Sequence, residues 1–173
     1  MSLTFIAMSH KVKILDQKEI YARLKRMAFE VYERNYQEKN LLVIGIGVRG
    51  GFIAKELCRY LTEISDLQIE RVKAQLDKSE EGVGIELDVD IEKIQQRPVV
   101  VVDDVLYTGN TMLHVVSILL QAGPSSIQTA VLIDRGHRSM PVSPDFVGLE
   151  LATTIQQHVS VDITEDTVEA FLL

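Results

Sequence analysis

Two adjacent carboxylates and a turn rich in hydroxyl groups follow a run of four valines near the middle of the chain. The carboxylates are Asp103 and Asp104, and the segment 107–111 reads Tyr-Thr-Gly-Asn-Thr. Backbone N–H groups of such a segment, together with threonine hydroxyls, can surround a phosphate at the N-terminus of a helix. Its glycine permits the positive φ that a close-fitting turn requires. The predicted phosphate ligands are Tyr107, Thr108, Gly109, Asn110 and Thr111.

The acid pair predicts a different kind of ligand from the turn beside it. A carboxylate repels a phosphate, so Asp103 and Asp104 are suited to vicinal hydroxyl groups, to a bound Mg²⁺, or to both. A sugar phosphate with free ribose hydroxyls satisfies the acid pair and the neighbouring turn together. The segment therefore predicts a site for a ribose phosphate.

Parallel strands must position these groups. Val99–Val102 has the continuous β-branched composition of a strand buried on both faces, and a helical pattern follows it. Leu41–Ile46 predicts a second such strand, which leads into a glycine-rich turn at 47–51 and then a helix. Ile127–Ile133 predicts a third strand, with the sequence Asp-Arg-Gly-His-Arg at 134–138 after it. Because ligands of parallel sheets bind outside the carboxyl ends of the strands, we expect all these turns at one edge.

The glycine-rich turn at 47–51 has two interpretations. Its glycines let the backbone wrap an anion, and Arg49 adds a positive charge. An ordinary turn with a surface arginine would have the same sequence. The second turn at 107–111 favours the anion site.

The two ends of the chain carry shorter patterns. Asp16 and Glu19 predict a capping box at the start of a helix that ends near Asn35. At the other end, Ser160–Ile163 predicts an edge strand and Val168–Leu173 predicts a short helix.

Length and composition predict a single α/β domain over residues 1–173. Hydrophobic residues make up 46% of the chain and charged residues 25%, as in soluble globular proteins. The one cysteine, Cys58, excludes an internal disulfide, and neither an apolar run of membrane length nor a signal peptide is visible. A reducing, cytoplasmic location is therefore expected, with no membrane partner.

The motifs together resemble a known family. The segment VVVVDDVLYTGNT resembles the phosphoribosyl-pyrophosphate (PRPP) signature of the type I phosphoribosyltransferases, in which hydrophobic residues, two acids and a Thr-Gly-x-Thr turn occur together. With the downstream segment PSSIQTAVLIDRGHRSMPVSPDFVG, the chain resembles the pyrimidine-operon attenuation protein and uracil phosphoribosyltransferase family. The resemblance runs from the first helix to the C-terminus, with a poor match in the 70s and 80s.

The resemblance implies the type I phosphoribosyltransferase fold. That fold has a central, mainly parallel sheet flanked by helices, a flexible lid hairpin and a small C-terminal hood. Here the lid would come from Gln68–Leu76 and Ile85–Ile91, joined by a polar loop. The Tyr-Arg-Asp-Asp stretch of the family's lid is not apparent and the loop is short, which leaves lid closure and full catalytic rate open.

The resemblance also implies roles for the site residues. The 107–111 turn would hold the 5′-phosphate of PRPP, and Asp103 and Asp104 would engage the ribose hydroxyls directly or through Mg²⁺. Arg49 and Mg²⁺ would stabilise the departing pyrophosphate. The residues that would hold the pyrophosphate are Gly47, Val48, Arg49 and Gly50. Those that would bind the base are Tyr107, Arg135, His137, Arg138, Phe146 and Val147.

Three functions are compatible with the resemblance. We favour a uracil phosphoribosyltransferase, because purine enzymes of this type typically have an aspartate where Tyr107 stands, and a tyrosine cannot act as that acid or base at neutral pH. An RNA-binding regulator of pyrimidine genes is disfavoured by the net charge of −7, since RNA is held mainly by Lys and Arg. A PRPP- or nucleotide-sensing protein with little turnover is the third. The family forms homodimers and larger homo-oligomers, and the same is expected here.

Overall fold

The central feature of the fold is a six-stranded sheet. The computed structural model describes residues 11–77, 84–154 and 157–173. Its elements are β1 (Val12–Leu15), α1 (Gln17–Asn35), β2 (Asn40–Ile46), α2 (Gly47–Ile64), β3 (Gln68–Asp77), β4 (Gly84–Leu87), a 3₁₀ turn (Ile91–Lys93), β5 (Pro98–Leu106), α3 (Asn110–Ala122), β6 (Ser126–Asp134), β7 (Phe146–Glu150), β8 (Val159–Ile163) and β9 (Val168–Leu172). The large sheet has the order β4-β3-β2-β5-β6-β7. All its neighbouring strands are parallel except β3 and β4, which confirms the predicted mainly parallel α/β sheet.

Both faces of this sheet are covered, as the valine run predicts. Val100 and Val102 pack with α1 and α2 on one face, and Val99 and Val101 pack with α3 on the other. All four valine side chains are fully buried. A strand buried on both faces has no room for polar side chains until it reaches the edge of the sheet. This is why the acid pair comes at the carboxyl end of β5.

Helix α1 begins and ends where the sequence predicts. Asp16 accepts a hydrogen bond from the Glu19 backbone N–H at 2.8 Å, and the Glu19 carboxylate accepts one from the Asp16 N–H at 2.9 Å. This reciprocal pair is the predicted capping box. The helix ends at Asn35. No helix in the described parts of the chain combines the length and apolar character needed to cross a membrane.

The prediction of a helix at the C-terminus is wrong. Residues Val168–Leu172 form a strand, β9, which pairs antiparallel with β8 on one side and with β1 on the other. The physical reason is alternation: Val168 and Ala170 are buried, whereas the intervening Glu169 is partly exposed, which is the period of a strand. The resulting three-stranded sheet, β1-β9-β8, is the hood.

The predicted lid hairpin is present at its base. Strands β3 and β4 pair antiparallel from Ala74 opposite Leu87 to Asp77 opposite Gly84. The second arm is shorter than predicted, because the chain leaves the sheet after Leu87 and forms the 3₁₀ turn at Ile91–Lys93. The predicted polar loop at 78–83 lies outside the described residues.

Candidate functional site

A cavity of about 300 Å³ lies at the carboxyl edge of the large sheet. It is lined by residues 46–49 from the end of β2 and the start of α2, and by residues 103–112 from the end of β5 and the start of α3. Strands β2 and β5 are parallel with Gly45 opposite Val102, so the register brings the two turns side by side. The structure therefore places the acid pair and both predicted anion turns around one cavity.

The acid pair belongs to the strand itself. Strand β5 continues to Leu106, so Asp103 and Asp104 are its sixth and seventh residues and do not follow it as predicted. The Asp103 carboxylate accepts a hydrogen bond from the Asp104 backbone N–H at 2.9 Å. Burial raises the pKa of Asp103 well above its ordinary range, and the charge of Asp104 raises it further. A positive charge in this cavity would stabilise the ionised pair.

The 107–111 turn leads into the N-terminus of helix α3. Gly109 is the N-cap of α3, with a φ of 83° in the left-handed region and no side chain to cap the helix. The Asn110 N–H donates to the Thr108 hydroxyl at 3.3 Å, and the N–H groups that follow it in the first turn have no partner within the helix, so they are available to a ligand. Thr108 is exposed and Thr111 is partly exposed, so both hydroxyls are accessible from the cavity. Each of these features suits a phosphate.

The 47–50 segment forms the first turn of helix α2, which also lacks a side-chain cap. Gly47 has a φ of 60°, and the side chains of Val48 and Arg49 are exposed. Gly50 serves a different purpose, because it lies against β5. A Cβ atom at this position would be 2.7 Å from the Val102 carbonyl oxygen and 3.1 Å from the Asp103 Cα. Its lack of a side chain lets α2 approach the acid pair.

Tyr107 connects the sheet edge to the hood. Its ring stacks on His158 with the ring centroids 4.9 Å apart, and the Arg135 guanidinium lies 4.8 Å from its centroid. Its hydroxyl donates a hydrogen bond to the Val159 carbonyl oxygen at the start of β8. Burial raises the pKa of the Tyr107 hydroxyl, and the charge of Arg135 partly opposes this. The Tyr107 side chain therefore connects the hood to the end of β5.

The basic residues after β6 are also engaged with neighbouring protein groups. Arg135 donates to the Thr153 hydroxyl at 3.1 Å and to two carbonyl oxygens of the segment that leads into the hood. His137 donates from its Nε2 to the Thr153 carbonyl oxygen. Arg138 pairs with the buried carboxylate of Asp134. Asp134, Arg135 and Arg138 line a second cavity of about 390 Å³ at the same edge of the sheet.

Comparison with known proteins decides the family. A model of the phosphoribosyl transferase domain matches residues 11–166. The chain belongs to this family. A bifunctional protein PyrR from Bacillus cereus (strain AH820) is 36% identical over 171 residues, which cover 91% of this chain and 93% of that protein. Another PyrR, from Bacillus anthracis (strain CDC 684 / NRRL 3495), is 37% identical with the same coverage. The resemblance to the PyrR group is thereby confirmed.

Solved structures agree on the fold. The hypoxanthine phosphoribosyltransferase of Trypanosoma cruzi superposes with a TM-score of 0.72 at 22% identity, covering 81% of each chain. A hypoxanthine-guanine phosphoribosyltransferase of Bacillus anthracis gives a TM-score of 0.69 at 17% identity, covering 81% of this chain and 83% of that one. The chain has the type I phosphoribosyltransferase fold.

Two predicted base ligands of this phosphoribosyltransferase lie away from the cavity. Phe146 and Val147 begin β7. The cavity lies at the other end of β7, where Glu150 is opposite Asp134 in the strand register. Four strand residues span roughly 13 Å. Phe146 is 4% exposed and belongs to the core beneath α1. These positions do not favour the predicted role of Phe146 and Val147 in base binding, because Phe146 packs in the core.

Sequence reasoning missed the residues before the hood that border the candidate site. His158, Thr153 and Gln157 all contact the predicted site residues Tyr107 or Arg135. They come from a segment with no strand or helix pattern before β8. The only sequence signal was an isolated histidine, which carries little information without knowledge of its neighbours.

Proposed function

We propose that the protein transfers the phosphoribosyl group of PRPP to a pyrimidine base, uracil, and so forms UMP and pyrophosphate. The observation that carries this proposal is the position of the acid pair between two helix N-termini around one cavity. One N-terminus suits the 5′-phosphate and the other suits the pyrophosphate, while the carboxylates between them suit the ribose hydroxyls. PRPP carries these three groups in that order.

The proposed reaction breaks the bond from ribose C1 to the pyrophosphate oxygen and forms a bond from C1 to a nitrogen of the base. The pyrophosphate leaves with the electron pair, and the base nitrogen supplies a new pair and loses its proton. Positive charge grows on the ribose ring in the transition state, so the ionised Asp103 and Asp104 would stabilise it. Arg49 and the first turn of α2 would stabilise the negative charge that grows on the leaving group.

The acid pair also fits a magnesium ion that arrives with PRPP. When bound there, it would supply positive charge beside the leaving pyrophosphate. Among the residues that the structure describes, no group of three or more His, Cys, Asp or Glu side chains could hold a metal ion. Oxygens of PRPP and water would therefore supply the remaining ligands, which is the usual arrangement for Mg²⁺.

The base is proposed to bind toward the 134–138 loop. Arg138, together with the second cavity, offers hydrogen-bond donors to the carbonyl oxygens of a pyrimidine. Arg135 and His137 are engaged with the hood segment, so their contribution is to fix this wall. The Tyr107 ring contacts both His158 and Arg135, and we assign it the same positioning role.

A screen of bases with PRPP and Mg²⁺, monitored for nucleotide and pyrophosphate, tests the proposal. We expect UMP from uracil and little product from hypoxanthine or guanine. Asp104→Asn should lower UMP formation on the order of 10²-fold, the typical effect of removing one group that stabilises transition-state charge. Binding of PRPP without turnover would indicate a sensor, and product from purines alone would contradict the choice of base.

A second function, RNA binding, is worth testing because the PyrR relatives are named bifunctional. The arginines on the exposed side of α1 offer little to RNA, since Arg26 donates to carbonyl oxygens of β7 and Arg34 pairs with Asp145. With the net charge of −7, this favours the enzyme over the regulator. Tight, salt-sensitive retention of pyrimidine leader RNA in a gel-shift experiment would reverse that preference. A homo-oligomer is proposed for either function.

A further inference from the structure

A third cavity, larger than the two described above, lies on the other side of the 47–50 turn. It has a volume of about 790 Å³ and runs between helix α2 and strand β3. We call it the cationic groove. Its lining residues are Gly47, Val48, Gly51, Phe52, Lys55, Arg71, Lys73 and Gln75. Its size is within the range of cavities that bind small organic ligands.

The charge of the groove is of one sign. Three of its eight lining residues are cationic and none is acidic, in a chain whose net charge is −7. Lys55 comes from α2, and Arg71 and Lys73 are alternate residues of β3, which therefore point to the same face of the sheet. All three side chains are exposed.

These cations are also available. Within residues 11–77, 84–154 and 157–173, none of the three forms an ion pair, whereas eight other lysines and arginines do. Separate unpaired cations on two facing elements repel one another, and an anion between them relieves that repulsion. Arg71 and Lys73 lie roughly 7 Å apart along β3 and Lys55 lies on the facing helix, so a chain of phosphoryl groups can contact all three.

We propose that the cationic groove binds the polyphosphate chain of a nucleoside polyphosphate or of an inorganic polyphosphate. Lys55, Arg71 and Lys73 contact the phosphoryl groups. The exposed Val48 and the partly buried Phe52 form an apolar wall beside them, which suits the base of a nucleotide. This site is separate from the sugar-phosphate cavity, although Gly47 and Val48 line both.

The shared turn has a consequence for the proposed phosphoribosyltransferase site. A ligand in the groove contacts one side of the first turn of α2, and the proposed pyrophosphate position lies on the other side. A polyphosphate bound in the groove would therefore contact the same turn that is proposed to receive pyrophosphate.

The test is isothermal titration calorimetry of magnesium-free tripolyphosphate and of UTP into the full chain. The groove variant is Arg71→Gln/Lys73→Gln, and the matched control is Lys18→Gln/Lys25→Gln, which removes the same charge from exposed positions of α1. A third protein, Thr108→Ala/Thr111→Ala, alters the sugar-phosphate turn alone. We expect the dissociation constant for tripolyphosphate to rise at least tenfold in the groove variant and less than twofold in the other two.

The two ligands identify the source of the phosphate chain. Tighter binding of UTP than of tripolyphosphate, lost on Phe52→Ala, indicates a nucleotide, and equal binding indicates an inorganic chain. Loss of binding in the Thr108→Ala/Thr111→Ala protein, with none in the groove variant, would overturn the proposal because the anion would then occupy the sugar-phosphate turn. Absence of tripolyphosphate binding at millimolar concentration, with a dimer that the groove variant dissociates, would overturn it in favour of a contact between copies. None of these outcomes depends on UMP formation, so the groove and the proposed reaction can fail separately.

Discussion

At the scale of single residues, the ionised form of the Asp103 carboxyl is unfavourable in the free protein. Asp103 lies beside Asp104 at the end of a buried strand, and both burial and the neighbouring carboxylate raise its pKa. A proton on Asp103 relieves this cost in the free protein. A ribose with Mg²⁺ relieves it in the complex, so ligand binding is expected to release a proton and to strengthen as the pH rises through the raised pKa.

Asp103→Asn is therefore expected to stabilise the free protein at neutral pH while impairing PRPP use. The unfolded carboxyl ionises near pH 4 and the folded one at higher pH, so the wild-type protein loses stability as the pH rises between those two values. The amide oxygen can still accept the hydrogen bond from the Asp104 N–H. We expect the Tm at pH 7 to rise by roughly 2–4 °C, the shift that about 1 kcal/mol produces in a domain of this size.

Calorimetric melting of both proteins from pH 3 to pH 8 provides the measurement. The difference in Tm should be small at pH 3 and should grow toward neutral pH. A variant that melts below the wild-type protein at pH 7 would show that the ionised Asp103 stabilises the fold, contrary to this account.

At the scale of secondary-structure elements, two adjacent glycines of α2 have different tasks. A Cβ atom on Gly50 would overlap the Val102 carbonyl oxygen, whereas one on Gly51 would meet no atom within 4 Å. Of these two glycines, only Gly50 therefore limits how closely α2 approaches the acid pair. The pair offers a matched test of how the element positions the site.

Gly50→Ala is expected to destabilise the protein by about 1–3 kcal/mol, since the contact is with backbone that cannot rotate away. It should also weaken pyrophosphate binding by displacing the first turn of α2. Gly51→Ala should be neutral or stabilising by up to about 1 kcal/mol, because alanine favours a helix interior. Urea unfolding of both variants measures the difference, and equal stabilities would contradict the close packing of α2 on β5.

The hood is a second element whose position depends on few contacts. Tyr107 holds the start of β8 through its hydroxyl, and its ring stacks on His158. Removing the hydroxyl leaves the stacking in place but leaves a carbonyl oxygen without its donor.

Tyr107→Phe is therefore expected to cost about 1 kcal/mol and to loosen the hood. Hydrogen–deuterium exchange should accelerate at the backbone amides of β8 and β9, with little change in β5. His158→Ala serves as the companion variant, because it removes the stacking and keeps the hydroxyl bond. Unchanged exchange in β8 for both variants would mean that Tyr107 does not hold the hood.

At the scale of the whole molecule, the sequence predicts structure that depends on neighbouring residues and misses contacts between segments far apart in the chain. The valines before Asp103, the glycine of the 107–111 turn and the Asp16–Glu19 capping box each act on neighbours within a few residues, so their patterns are readable. Strand β1 was missed because its four residues gain their partner only from β9, at the far end of the chain. Pairing between distant segments leaves no mark on local periodicity.

The same distinction explains which contacts the sequence did not predict near Tyr107 and Phe146. Tyr107 and His158 are 51 positions apart in the sequence, and their stacking arises only when the hood folds over the sheet. Phe146 was assigned to the base pocket by resemblance, but the register of β7 against β6 places it at the opposite end of the strand. The positions of the turns at 47–50 and 107–111 were predictable because each belongs to a single strand–turn–helix unit.

The most direct test of the central claim is a crystal structure with ribose 5-phosphate and Mg²⁺. We predict density for the phosphate at the 107–111 turn and for the ribose hydroxyls beside Asp103 and Asp104, in the cavity that the first turn of α2 borders. Ligand density elsewhere on the molecule, with this cavity holding only water, would contradict the account.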